Sequence, residues 1–237
     1  MVKLKICGNH NPQDLAALAP YAGQIDYLGF IFTPHSKRYV SPACVKQWLQ
    51  RDPRLIAKAV AVFLDQPLTE VCRVLENTGI RHVQLHGTES AAYCQALRHR
   101  LPQLTIWKMI PVSKHAEHVQ GEDRLVQLSK HVQDYLPAVD VILLDTQVKG
   151  QAGGTGQSFD WRLVPGIYAQ VQDKKGPKGE RVQLFVAGGI GPANIRRLLA
   201  MGGMDGIDMA SGAETDGRKD ARKIETVVHE VREHAQN

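Results

Sequence analysis

Two residues in this sequence stand where acid–base chemistry would need them. Asp145 closes an apolar run, Val141-Ile142-Leu143-Leu144, and a glycine loop, Gly153-Gly154-Thr155-Gly156, follows it. The run has the length and β-branched content of a strand covered on both faces. Its first ionisable group is therefore expected at the strand's C-terminal mouth. A carboxyl held protonated in a dry pocket can act as a general acid. Cys7 ends a second strand-like stretch, and a thiol becomes a general base once its pKa falls from about 8.5 toward neutrality. Singly, the Cys could be a buried hydrophobe and the Asp a loop cap. Both at strand ends of one fold are better explained as an acid–base pair.

Other residues suggest what would be held between them. Gly188-Gly189 and Ser211-Gly212 each follow a late strand. Adjacent glycines expose backbone N–H groups that a Cβ would shield, which suits a phosphate, although tight turns alone would also use them. Arg38, in Ser36-Lys37-Arg38-Tyr39-Val40-Ser41-Pro42, could clamp a carboxylate through two parallel hydrogen bonds. His86 ends the run Val83-Gln84-Leu85. Asp208, just before Met209-Ala210, is positioned to hold ribose hydroxyls.

Strand and helix signals alternate from end to end. Strands are expected over 2–7, 27–32, 58–64, 82–86, 104–110, 139–145, 182–187 and 206–210. Asn11-Pro12 and Ser41-Pro42 are helix starts, with a capping side chain followed by proline at the first helical position. Gly79 is a natural helix stop. Further helices are expected over 89–99, 122–136, 159–170, 192–202 and 219–234, the last with Ile224, Val227, Val228 and Val231 on one face. Residues 173–181 read as a mobile polar excursion. Eight strand–helix units in 237 residues predict an α/β fold, a (β/α)8 TIM barrel, with residues 1–237 as one domain. A doubly wound open sheet would place GxGxxG after the first strand, where this chain has Cys7-Gly8-Asn9-His10. In a barrel the strand C-termini converge on one mouth, which gathers Cys7, His86, Asp145 and both glycine pairs.

The composition is that of an ordinary globular protein, 43% hydrophobic and 22% charged. The net charge of +5 is spread along the chain. Its densest basic cluster, 174–181, also holds Gly, Pro and Glu, as a solvated loop would. With three Trp, six Tyr and five Phe dispersed, there is no basic–aromatic stripe for stacking bases, and no nucleic-acid partner is expected. A modest positive field would favour an anionic substrate. No run approaches the roughly 20 apolar residues of a membrane helix, and the start of the chain reads as a strand, so neither a membrane partner nor a signal peptide is expected. Cys7, Cys44, Cys72 and Cys94 form no CxxC pair, which argues against a zinc site and a disulfide framework and for the reducing cytoplasm. Cys44, Cys72 and Cys94 are expected to be small core residues.

Taken together, these motifs resemble the phosphoribosylanthranilate isomerase family of tryptophan biosynthesis. The matching stretches are Lys5-Ile6-Cys7-Gly8, Gly29-Phe30-Ile31-Phe32, Ser36 to Pro42, Val83-Gln84-Leu85-His86-Gly87, Leu143-Leu144-Asp145, Gly153 to Trp161, Ala187-Gly188-Gly189-Ile190 and Gly206 to Glu214. They span essentially the whole chain in the family's order. The resemblance implies a cofactor-free and metal-free Amadori rearrangement of a small phosphosugar. By it, Asp145 would protonate the furanose oxygen and Cys7 would remove the sugar C2 proton. Arg38 would hold the anthranilate carboxylate, and the loops bearing Gly188-Gly189 and Ser211-Gly212 would hold the phosphate. A monomer or homodimer is expected. One departure is Ala210 where the family carries a serine, which removes a hydroxyl near the phosphate but no backbone donor.

A histidine-pathway sugar isomerase acting on a two-phosphate substrate is the nearest alternative. That family, however, resembles a barrel with Asp at the end of its first strand and a second phosphate loop. A barrel that merely binds a sugar phosphate would have no use for both Cys7 and Asp145.

Overall fold

In the computed structural model, which describes residues 1–114, 121–147 and 158–234, strands and helices alternate in the expected order. They are β1 (Lys3–Ile6), α1 (Pro12–Leu18), β2 (Tyr27–Ile31), α2 (Pro42–Arg51), β3 (Ala59–Phe63), α3 (Leu68–Thr78), β4 (His82–Leu85) and α4 (Ala91–Arg100). There follow β5 (Thr105–Ser113), α5 (Gly121–Tyr135), β6 (Val141–Gln147), α6 (Val164–Val171), β7 (Gln183–Val186), α7 (Ile195–Met201) and β8 (Gly206–Met209). A small hairpin of β9 (Glu214–Thr215) and β10 (Arg218–Lys219) precedes α8 (Ala221–His234). Strands β1 to β8 pair in sequence order and close into a barrel. Every pairing is parallel, including the seam between β1 and β8, where Lys5 lies opposite Asp208. The molecule is thus a (β/α)8 barrel.

Local chemistry explains the helix starts. The Asn11 side chain accepts from Asp14 N–H and the Ser41 side chain from Cys44 N–H, each with proline following. Gly79 ends α3 in the left-handed conformation, φ 75°. On α8, Ile224, Val227, Val228 and Val231 are buried, the apolar face its sequence anticipated.

Strand alternation then sorts the interior. Tyr27, Trp107 and Phe185 pack edge-on and tilted, with the Trp107 and Phe185 ring centroids 4.5 Å apart, and form an aromatic floor. Gly206 makes room for it: a Cβ there would lie 2.2 Å from the Phe185 ring. Outside the sheet, the fully buried Lys108 donates to the carbonyls of Leu85 and Gly87 and to Glu89 Oε2. Glu89 in turn accepts the N–H groups of Asp65 and Gly87. One buried ion pair therefore fixes the loops after β3 and β4.

The structure revises several expectations. Asp145 lies inside β6 rather than at its end, because the β5–β6 ladder continues to Ser113 and Gln147. Cys44 is exposed: α2 buries the face of Val45 and Leu49, and Cys44 falls off it. Cys72 and Cys94 are buried as expected. The expected 159–170 helix is split into a 3-10 turn, Trp161–Leu163, and α6. The 173–181 excursion is a tied turn, with a Lys175–Arg181 bridge, Gly176 N–H bonded to Glu180 carbonyl at 2.8 Å, and Arg181 paired with Asp205. The glycine loop expected at 153–156 lies outside the described residues.

Replacing Lys108 with Met strands the buried Glu89 carboxylate. Urea unfolding should show a loss of about 3–5 kcal/mol. A loss within the surface salt-bridge range, below about 1 kcal/mol, would contradict this role.

Candidate active site

A cavity of about 560 Å³ opens at the C-terminal mouth of the barrel. Cys7, Arg38, His86, Asp145, Gly188, Gly189, Asp208 and Ser211 all line it. Gly212 does not. It stands behind the wall, in an adjoining cavity, where a Cβ would lie 1.8 Å from the Ile190 carbonyl oxygen. Its role is to let the loops after β7 and β8 touch.

Cys7 follows β1 and is buried. Gly29 on the neighbouring strand is what admits the thiol, since a Cβ there would meet Sγ at 2.5 Å. Beneath Cys7 on the same inward face stands Lys5, with no exposed surface. The Lys5 ammonium pairs with Asp208 Oδ2 at 2.9 Å. Lys219 Nζ donates to the Cys7 carbonyl at 2.6 Å. Burial pushes the thiol's pKa up, and the Lys5 and Lys219 charges oppose it. Asp208 Oδ1 is buried without a partner among the described residues.

Asp145 enters from β6, and its Oδ1 accepts Thr146 N–H at 2.7 Å. Oδ2 faces His86 Nε2 at 3.4 Å. His86 Nδ1 is 2.8 Å from Gln84 Nε2. With the amide donating to Nδ1, the neutral imidazole carries its proton on Nε2, toward the carboxylate.

Arg38 does not stand free. Its Nε and Nη2 bond Glu214 at 2.7–3.1 Å, and Glu214 also accepts from Lys219 at 2.7 Å. Held along one edge, the guanidinium donates from Nη1 to no acceptor among the described residues. Gly8, φ 78°, lets the backbone pass: a Cβ there would lie 2.3 Å from Arg38 Cδ. At the other end, Gly188 and Gly189 adopt φ 89° and 63°. Among the described residues, the N–H groups of Gly188 and Gly189 donate to no backbone acceptor. Gly188, Gly189 and Ser211 border this end of the cavity, where exposed backbone N–H groups would suit an anion. No group of three or more His, Cys, Asp or Glu among the described residues is placed to hold a metal ion.

Sequence reasoning missed Lys5, Gln84, Glu214 and Lys219. Two of them carried a signal. Lys5 and Gln84 sit two residues before Cys7 and His86 on strands buried on both faces, and that spacing aims them inward. Glu214 and Lys219 are brought in by the β9–β10 hairpin, which is too short to show a period.

Comparison with known proteins was consistent with this geometry. Residues 4–230 match the family model described as N-(5'phosphoribosyl)anthranilate (PRA) isomerase. The chain is 39% identical to the N-(5'-phosphoribosyl)anthranilate isomerase of Geobacillus thermodenitrificans, over 99% of this chain and 96% of that one. It is 35% identical to the Brevibacillus brevis protein of the same name, over 100% and 96%. Among solved structures, phosphoribosyl anthranilate isomerase from Thermotoga maritima superposes with a TM-score of 0.76 at 26% identity, covering 98% of this chain and 100% of that one. Another such isomerase, in complex with reduced 1-(o-carboxyphenylamino)-1-deoxyribulose 5-phosphate, gives 0.72 at 25%, with the same coverage.

The Glu214 carboxyl is held below its usual pKa of 4.5 by Arg38 and Lys219, against the opposing effect of burial. A depressed carboxylate pKa contributes stability that is complete above the unfolded value and lost as the pH falls through the folded one. Wild type should therefore lose stability below about pH 4.5 more steeply than Glu214→Gln, measured by urea unfolding. Parallel curves for the two proteins would contradict the assignment.

Proposed function

The chain belongs to the N-(5'-phosphoribosyl)anthranilate isomerase family, and from that membership we propose that Cys7 and Asp145 carry its acid–base chemistry. The reaction is the conversion of N-(5'-phosphoribosyl)anthranilate to 1-(2-carboxyphenylamino)-1-deoxyribulose 5-phosphate, an Amadori rearrangement in tryptophan biosynthesis. The observation that carries the assignment is the shared cavity. Cys7 from β1 and Asp145 from β6 open into it, with Arg38 on its wall and the glycine loops after β7 and β8 beside them.

In this reading the substrate phosphate lies on the N–H groups of Gly188, Gly189 and Ser211, with Gly212 holding the two loops together. The anthranilate carboxylate takes the free edge of Arg38. Asp145 protonates the furanose oxygen, and the ring opens to an iminium ion. That cation acidifies the C2 proton and supplies the electron sink. It also brings a positive charge into the pocket beside Lys5 and Lys219, which offsets the burial that keeps Cys7 a thiol in the free protein. The thiol releases its proton to solvent as that cation forms, the Cys7 thiolate takes the C2 proton, and the enolamine tautomerises to the ketone by losing its O2 proton and gaining one at C1. Asp208 Oδ1, an acceptor lacking a donor, receives a ribose hydroxyl. His86 presents its Nε2 proton to Asp145 and links the acid to solvent for the next cycle. Each acid–base group is worth about 100- to 10,000-fold in rate.

Residues 1–237 act as one domain in this proposal. Free, unpaired cysteines suit a reducing cytoplasm. No helix among the described residues is long and apolar enough to cross a membrane. A monomer is sufficient for the chemistry, since each residue named belongs to one chain.

The test uses substrate generated in place from anthranilate and phosphoribosyl pyrophosphate and followed by fluorescence. Wild type should turn over rapidly. Cys7→Ala and Asp145→Asn should each fall by about a hundredfold or more. Turnover that survives Cys7→Ala would return the thiol to a packing role.

A further inference from the structure

Lys5 is a charged side chain in a place that normally excludes one. It has no exposed surface, and it stands between the aromatic floor and the cavity. Its Nζ is 6.0 Å from the centre of the Trp107 ring, within cation–π range. Isolated burial of an ammonium is strongly unfavourable, and Asp208 at 2.9 Å offsets that cost. A hydrophobic pair of similar volume would fill the same layer at least as stably. Packing therefore does not explain the pair, whereas its location does. Cys7 is the next inward-facing residue of β1, and Asp208 lies across the barrel seam in register with Lys5.

We propose that Lys5 is a positioning residue for the rearrangement: its ammonium, anchored by Asp208 and Trp107, stabilises the Cys7 thiolate from below. This inference rests on the reading of Cys7 as the general base. The Lys5 pKa is held above its usual value, with Asp208 and Cys7 outweighing burial, so the ammonium stays charged across the working pH range. The charges that face the thiol are Lys5 on β1, Asp208 on β8, Lys219 on β10 and Arg38 in the loop after β2. Lys219 and Arg38 share the Glu214 carboxylate. Strands β2 and β3 present Ile31 and Val62 to this wall, and neither is charged. Of the two lysines, Lys5 opposes the burial of the thiol more strongly than Lys219 does. Lys219 spends its bonds on the Cys7 carbonyl and Glu214.

The experiment is the pH profile of Cys7 alkylation by iodoacetamide, read by mass spectrometry on the Cys7 peptide, so that the exposed Cys44 does not contribute. Lys5→Met should move the inflection up by about one pH unit or more, a tenfold lower thiolate fraction below it. Asp208→Asn should move it down, because the competing anion is removed and the thiolate becomes the counter-ion of the Lys5 ammonium. A purely structural role would not give opposite signs. A folded Lys5→Met protein with an unmoved inflection overturns the proposal. Should Lys5→Met fail to fold, the neutral pair Lys5→Met/Asp208→Asn takes its place. It must titrate above Asp208→Asn, and equal inflections overturn the proposal. Failure of the base assignment has a separate signature: Cys7→Ala would keep its turnover whatever the alkylation profiles show.

Discussion

Closure of the barrel between β1 and β8 is the constraint on which the site depends. Parallel pairing of Lys3–Ile6 with Gly206–Met209 brings Cys7 against residues more than 200 positions away: the Lys5–Asp208 bond spans 203 and the Lys219–Cys7 bond 212. Without that seam the ammonium beneath the thiol has no carboxylate partner. Lys219 would not reach its carbonyl, and Glu214 would not reach Arg38. The Asp14 carboxylate reinforces the closure by accepting the N–H of Lys219 and that of His10. The proposed base is thus assembled from both ends of the sequence, and the proposed acid comes from β6 in between.

The same alternation builds the two sides of the cavity. Cys7 has Lys5 beneath it and His86 has Gln84, so each side chain at the mouth is governed by the one two residues earlier on its strand. Lys5 sets an electrostatic environment, while Gln84 sets which imidazole nitrogen carries the proton. Burial alone would keep Cys7 a thiol, and a permanently deprotonated thiolate would be exposed to oxidation. A base that becomes strong when the substrate's own cation arrives avoids that problem. Arg38 shows the complementary tactic. Glu214 holds it with two bonds, so the side-chain entropy of the guanidinium is lost on folding rather than on binding.

Much of this was legible in the sequence, for definite reasons. The eight units were visible because parallel strands covered on both faces read as apolar runs, and because Asn11-Pro12, Ser41-Pro42 and Gly79 punctuate the helices chemically. Residues at strand ends converge in any barrel, so Cys7, His86, Asp145 and the glycine pairs could be placed together without knowing their contacts. What stayed hidden was long-range. The register that sets Lys5 opposite Asp208 is a property of the closed sheet. The extension of β6 past Asp145 depends on β5 continuing beside it, which neither segment shows alone. Cys44 was misplaced because one position on a helix, about 100° of rotation, separates the buried face from solvent. Gly212 was recognised as important, but its task is to admit the Ile190 carbonyl rather than to line the cavity.

The central claim is a division of labour: Asp145 opens the ring before Cys7 takes the C2 proton. The most direct test is the deuterium isotope effect on kcat/KM, using substrate labelled at C2 of the ribose, in wild type and two variants. Cys7→Ser, a poorer base, should make proton removal limiting and raise the effect above that of wild type. Asp145→Asn should make ring opening limiting and bring the effect toward unity. Effects that move in the same direction in both variants, or that exchange places, would contradict the assignment of the two roles.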